Sequence, residues 1–81
     1  MMLFLMEYDR HSGTLVTVRT FKQSEQHQAD EARLELELRL NREGIEHEVV
    51  LLEAASESAL RKSHRRYFED IAGIAGTAVR R

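Results

Sequence analysis

The chain has 81 residues, no cysteine and a formal net charge of −2 at pH 7 with histidine taken as neutral. This length favours one small domain, spanning residues 1–81, that buries only about 60% of its unfolded surface. Without cysteine, neither disulfides nor thiolate metal sites can stabilise the fold. We therefore expect a second subunit to add buried surface, and we expect a cytoplasmic location. The charge gives no general attraction to nucleic acid or membranes, and the apolar run MMLFLM is too short to span a bilayer.

The first 21 residues predict a β-hairpin. Residues 2–8 predict a strand that is apolar on both faces, which is typical of a central strand; one face has Met2, Phe4 and Met6 and the other has Leu3 and Leu5. Residues 14–21, TLVTVRTF, are rich in β-branched side chains and predict a second strand. The segment from Asp9 to Gly13 between them has the composition of a turn.

The next segment predicts a long helix over residues 24–43 that ends at Gly44 in a left-handed cap. The alternation LELELRL within it is also the period of a half-buried strand. The helix is favoured because β-branched residues are absent, and because Glu35 and Arg39 have the i,i+4 spacing of a helical ion pair.

The leucines of this helix fall on two faces. One stripe consists of Ala29, Ala32, Leu36 and Leu40, and Leu34 and Leu38 lie almost opposite. A helix that packs on one sheet needs one apolar stripe. The second stripe is covered either by another part of the chain, such as a second helix or the tail, or by a second copy, which makes Leu34 and Leu38 interface candidates.

The rest of the chain predicts a third strand over residues 45–52 and a second helix over residues 57–72, with Ser56 as its N-cap. The apolar stripe of this helix is formed by Leu60, His64, Tyr67, Phe68, Ile71 and Ile74. Two glycines then interrupt the pattern, and the tail, residues 73–81, is expected to be frayed.

Together these elements predict an α+β fold with the order ββαβα. The doubly apolar first strand belongs in the middle, antiparallel to both neighbours, which gives a three-stranded mixed sheet with order 2-1-3. We expect a two-layer arrangement with both helices on one face of the sheet. The opposite, bare sheet face then competes with Leu34 and Leu38 as the dimer surface, and the sequence leaves both open.

Histidines and carboxylates give weak signals for chemistry. His27 and Glu31 have the spacing of a two-ligand metal face, and His47 is the one candidate for a third ligand. A solvated helix histidine is the more common explanation. No nucleophile motif or Gly-rich phosphate loop occurs, so we expect no catalytic residue, metal or cofactor.

A basic segment offers an alternative function. Arg61, Lys62, Arg65 and Arg66 fall on one side of the second helix, where they would contact phosphates of a nucleic acid. The acidic residues that follow and the negative net charge weigh against this interpretation. The expected function is therefore a non-catalytic, homodimeric protein-interaction module, with a nucleic-acid-associated protein as the alternative; the element order alone carries no function.

Overall fold

A computed structural model describes residues 1–68, so the predicted tail and the predicted end of the second helix lie outside the described residues. Three strands and two helices occur in this part of the chain, with two short 3-10 turns. They are β1 (Met2–Asp9), β2 (Thr14–Lys22), a 3-10 turn (Gln23–Glu25), α1 (Gln26–Glu43), β3 (Glu48–Ala54), α2 (Glu57–Ser63) and a second 3-10 turn (Arg65–Tyr67).

The sheet has the order β2-β1-β3, which confirms the predicted order 2-1-3 and the α+β class. β1 is antiparallel to both of its neighbours. This confirms the predicted antiparallel pairing of the first strand with both neighbours. The sheet is purely antiparallel and not mixed, because β2 and β3, which run in the same direction, are separated by β1. β1 takes the centre because its side chains from Leu3 to Tyr8 are all buried.

The turn between β1 and β2 is closed by Asp9 and Gly13. The Asp9 carboxylate accepts hydrogen bonds from the backbone N–H groups of His11 (3.0 Å) and Ser12 (3.3 Å). The N–H of Gly13 donates to the Asp9 carbonyl at 2.8 Å, and its φ of 71° is in the left-handed region that favours glycine. Asp opens this turn and Gly closes it for these local reasons.

The two helices lie on opposite faces of the sheet, so the prediction that they share one face is wrong. The odd-numbered face of β1, with Leu3 and Leu5, packs against Ala29 and Ala32 of α1. The even-numbered face packs against α2 and the turn after it; its buried members are Phe4, Met6, Tyr8, Ala54, Leu60 and Tyr67. A strand that is apolar on both sides needs cover on both sides, which gives three layers in place of two.

The second helix is shorter than predicted. Ser56 is its N-cap, and the Ser56 hydroxyl accepts from the N–H of Ala59 at 3.1 Å. The α-helix ends at Ser63, whose hydroxyl donates back to the Ala59 carbonyl (3.1 Å) and lies 2.9 Å from His64 Nδ1. His64 leaves helical geometry at φ −127° and ψ 54°, and a single 3-10 turn follows.

Candidate functional site

The outward face of α1 exposes the two leucines that the sequence singled out. Leu34 is 55% exposed and Leu38 is 51% exposed, and Ile45, just past the helix end, is 38% exposed. These three residues are called the α1 stripe below. One alternative from the sequence was that the second helix covers Leu34 and Leu38. It does not, because α2 lies on the opposite face of the sheet.

The end of α1 places Ile45 beside the helix. Gly44 adopts φ 68° in the left-handed cap that was predicted, and its N–H donates to the Asn41 carbonyl at 3.2 Å. The N–H of Ile45 donates to the Leu40 carbonyl at 2.9 Å. These bonds hold Ile45 against the last turn of the helix, where it lines a shallow pocket with Leu40 and Asn41.

A buried carboxylate lies beneath α1. Glu7 is only 5% exposed because it follows Leu3 and Leu5 on the face of β1 that α1 covers. Its Oε2 is 2.6 Å from His47 Nδ1, and its Oε1 is 3.8 Å from a guanidinium nitrogen of Arg39. The other ring nitrogen of His47 is 3.7 Å from an Asp9 carboxylate oxygen. Sequence analysis missed this pairing, although a carboxylate that ends an apolar strand was a usable signal.

A groove of about 330 Å³ opens beside Glu7, between α1 and β2. Its walls combine apolar and charged side chains: Leu5, Glu7, Thr17, Arg19, Ala32, Glu35, Leu36 and Arg39. Two carboxylates and two guanidiniums balance each other in formal charge. The charges of the lining alone do not define a ligand or a reaction for this groove.

A second polar cluster joins β3 to the turn after α2. The Tyr67 hydroxyl donates to Glu48 at 2.7 Å, and Arg66 donates to both oxygens of the same carboxylate at 3.1 and 3.2 Å. The Tyr8 and Tyr67 rings meet edge to face at 5.1 Å, and the Arg66 guanidinium lies 4.3 Å from the Tyr67 ring centroid. These contacts hold the end of the described chain against the sheet.

The same contacts shift two pKa values. The hydrogen bond from Tyr67, assisted by Arg66, lowers the pKa of Glu48 below its ordinary value even though partial burial opposes the shift. Burial, together with the neighbouring Glu48 carboxylate, raises the pKa of Tyr67. Both shifts follow from structural contacts and need no ligand.

The four basic candidates do not share one helix face. Arg61 and Lys62 belong to α2, whereas Arg65 and Arg66 belong to the 3-10 turn. Arg61 donates to Glu57 at 2.9 and 3.1 Å and lies 4.5 Å from the Phe68 ring centroid. Since Arg66 is held by Glu48, at least two of the four guanidinium or ammonium groups are already engaged within the chain.

The metal hypothesis fails on geometry within residues 1–68. His27 Nε2 and Glu31 lie 3.2 Å apart on the exposed side of α1, but His47 contacts Glu7 beneath the helix. In this part of the chain no three His, Cys, Asp or Glu side chains are arranged to hold a metal ion. Nor does either helix combine the length and the apolar character that crossing a bilayer requires.

Comparison with protein families, curated proteins and solved structures finds no match to this chain.

Proposed function

We propose that this protein is a non-catalytic protein-interaction module that acts as a homodimer. The observation that supports a protein-contact function is the α1 stripe, and a second copy is one of the partners that the described chain could bind, at this stripe or at an edge of the sheet. The inner side of α1 already buries Ala29, Ala32 and Leu40, yet its outer side exposes half of Leu34 and of Leu38. A chain this short has little apolar surface to spare for solvent, and paired exposed leucines on a helix are typical of a contact surface.

The charged groups of the described chain support the non-catalytic part of the proposal. Glu7 is used by His47 and Arg39, and Glu48 is used by Tyr67 and Arg66. These groups satisfy one another inside the fold, where they stabilise the attachment of α1 and of the chain after α2. None of these contacts requires a substrate.

The oligomeric state tests the proposal directly. Wild-type protein at tens of micromolar is expected to sediment at twice the mass of one chain. A Leu34→Glu, Leu38→Glu double variant and a matched control with two carboxylates added away from the stripe, Ser24→Glu with Gln28→Glu, are measured in parallel. Loss of a dimer in the first variant alone places the dimer contact at the α1 stripe. A monomeric wild type contradicts the homodimer.

The nucleic-acid alternative has less support, because Arg61 and Arg66 are paired with carboxylates. We expect no shift of duplex DNA in a mobility assay at about 50 mM salt, where non-specific phosphate binding is strong. Binding that Arg65→Glu abolishes would instead favour the alternative.

A further inference from the structure

The outer edge of β2 is the longest unpaired strand edge among residues 1–68. β2 has nine residues and β3, the other edge strand, has seven. β1 pairs with one side of β2 from Thr14 to Lys22, and no described strand pairs with the other side. Every second residue of such an edge presents an N–H and a C=O to the outside, so β2 is a template for another strand.

This edge has few of the features that protect natural edge strands. Protection usually comes from short length, proline, charged side chains or bulges. β2 has no proline, and its only charged residues are Arg19 and Lys22. A register shift against Glu7 and Tyr8 leaves one bulge, at Val16. β3 likewise carries two charged residues, Glu48 and Glu53, and it is two residues shorter.

Most side chains of β2 are also exposed to solvent. Five of its nine residues are β-branched, and all five are exposed: Thr14, Val16, Thr17, Val18 and Thr20. Val16 is 48% exposed and Val18 is 39% exposed. β-branched side chains gain most from a cross-strand neighbour, which the outer edge of β2 lacks in the described chain.

We propose that β2 pairs antiparallel with β2 of a second copy, about a two-fold axis at Val18, and that this pairing is the dimer contact. The proposal rests on the homodimer proposed above and names its surface. Val18 is the midpoint of β2, and in this register Thr17, Val18 and Arg19 lie opposite Arg19, Val18 and Thr17 of the second copy. The bulge at Val16 interrupts regular pairing beyond these residues. The result is one continuous six-stranded sheet, with the two α1 helices on one face and the two α2 helices on the other.

The cross-strand partners in this register are compatible. Val18 lies opposite its own copy and Thr17 lies opposite Arg19, so no two like charges are directly opposed. An axis at Arg19 would place two guanidiniums opposite each other, which is unfavourable. The exposed Val18 therefore gains a cross-strand neighbour in a register that opposes no like charges.

The α1 stripe is a poorer surface for a second copy. On the helical wheel Glu35 and Glu37 flank Leu34 and Leu38 on opposite sides. A two-fold antiparallel contact centred on the leucines would bring each of these glutamates close to its own copy, and like-charge contacts of this kind disfavour association. The stripe is better suited to a different partner, one with basic residues beside its apolar ones.

Cysteine cross-linking tests the register. Because the chain has no native cysteine, each single variant can form a disulfide only between the two introduced cysteines of a dimer. Val18→Cys is expected to form a disulfide-linked dimer under mild oxidation, because directly opposite residues have Cα atoms about 4.5–5.5 Å apart. Thr20→Cys is the matched control, since in this register the two cysteines are four residues out of line and too far apart to bridge. We expect Val18→Cys to cross-link at least about tenfold faster.

Charge variants test the same contact without covalent chemistry. Val18→Lys is expected to be monomeric, because it places two like charges at the axis, and mixing it with Val18→Glu is expected to restore the dimer. Restoration also shows that both variants are folded.

The outcomes separate the two proposals. If the wild type is a dimer but Val18→Cys cross-links no faster than Thr20→Cys, and Val18→Lys remains dimeric, the β2 contact is wrong and the homodimer stands. A wild type that is monomeric in sedimentation overturns both.

Discussion

Glu7 is the only charged side chain of residues 1–68 that is buried. The free energy of unfolding therefore depends on the groups that pair with this carboxylate. His47→Leu removes the closest of them, 2.6 Å away, and leaves a carboxylate with only the longer Arg39 contact. We expect His47→Leu to lower the free energy of unfolding by about 2 kcal/mol, because an incompletely paired buried charge is costly. Urea denaturation at neutral pH measures this change.

Two further variants make the interpretation specific. His27→Leu is the control, because His27 also has a neighbouring carboxylate, Glu31 at 3.2 Å, but lies on the solvent-exposed surface of α1. We expect its effect to be within a few tenths of a kcal/mol. A Glu7→Leu, His47→Leu double variant is expected to be more stable than His47→Leu alone, since no buried charge remains. Equal effects at His27 and His47 would contradict this account of Glu7.

The Glu48 cluster predicts how stability depends on pH. The folded-state pKa of Glu48 lies below its ordinary value of 4.5, so its contribution is complete above that value and is lost as pH falls through the folded-state pKa. The pKa of Tyr67 is raised above 10.0, so its contribution is lost as pH rises beyond that value. Stability from this cluster should therefore be greatest between these limits.

Glu48→Gln is expected to reduce the acid-side loss of stability, because it removes the carboxylate that Tyr67 and Arg66 stabilise. Unfolding free energies measured by denaturant titration between neutral pH and pH 3 report this slope. The control is Glu53→Gln, an exposed glutamate in the same strand. Identical acid slopes for the wild type and Glu48→Gln would show that the cluster does not carry this pH dependence.

At the scale of elements, the end of α1 depends on one backbone conformation. Gly44 has φ 68°, and a Cβ added there would meet no atom within 4 Å. The cost of Gly44→Ala is therefore conformational alone, about 1 kcal/mol of unfolding free energy. Gly44→Asn should cost less, because asparagine tolerates the left-handed region. Thermal unfolding of both variants checks the order, and an alanine variant as stable as the wild type contradicts it.

The sequence was informative wherever a local rule decides the structure. The apolar residues on both sides of β1 indicated a central strand, Gly44 indicated a left-handed cap, and Ser56 indicated an N-cap, and the structure has all three. The same double apolarity of β1 also required cover on both faces. The predicted fold left one face of the sheet uncovered. The sequence from residue 57 onward contains no local pattern that indicates which face of the sheet the second helix packs on.

Tertiary contacts account for the rest of what the sequence did not predict. The apolar spacing of Leu60, His64 and Tyr67 suits an uninterrupted helix, but the backbone breaks at His64, so that Tyr67 reaches Glu48 from a 3-10 turn. Glu7 and His47 are 40 positions apart in the chain, and their contact arises only when β3 lies beside β1. No local pattern encodes either contact.

At the scale of the whole molecule, the proposed dimer makes stability depend on protein concentration. When a folded dimer unfolds to two separate chains, each tenfold rise in concentration stabilises the dimer by about 1.4 kcal/mol. The wild-type melting temperature is therefore expected to rise with concentration across the micromolar range. The melting temperature of Val18→Lys should stay constant, because its dimer contact is lost while its own core is intact.

Comparing this dependence between surfaces decides which one joins the two copies. A Leu34→Glu, Leu38→Glu variant leaves the β2 edge unchanged, so its melting temperature should still rise with concentration as the wild type does. The reverse result would be a melting temperature that no longer depends on concentration in the α1 variant but still does in Val18→Lys. It would assign the dimer contact to α1 and show that the β2 edge does not join the two copies. Both variants add charge to exposed positions. Any destabilisation of the monomer shifts their melting temperatures equally at all concentrations, so it does not alter the slope of melting temperature against protein concentration.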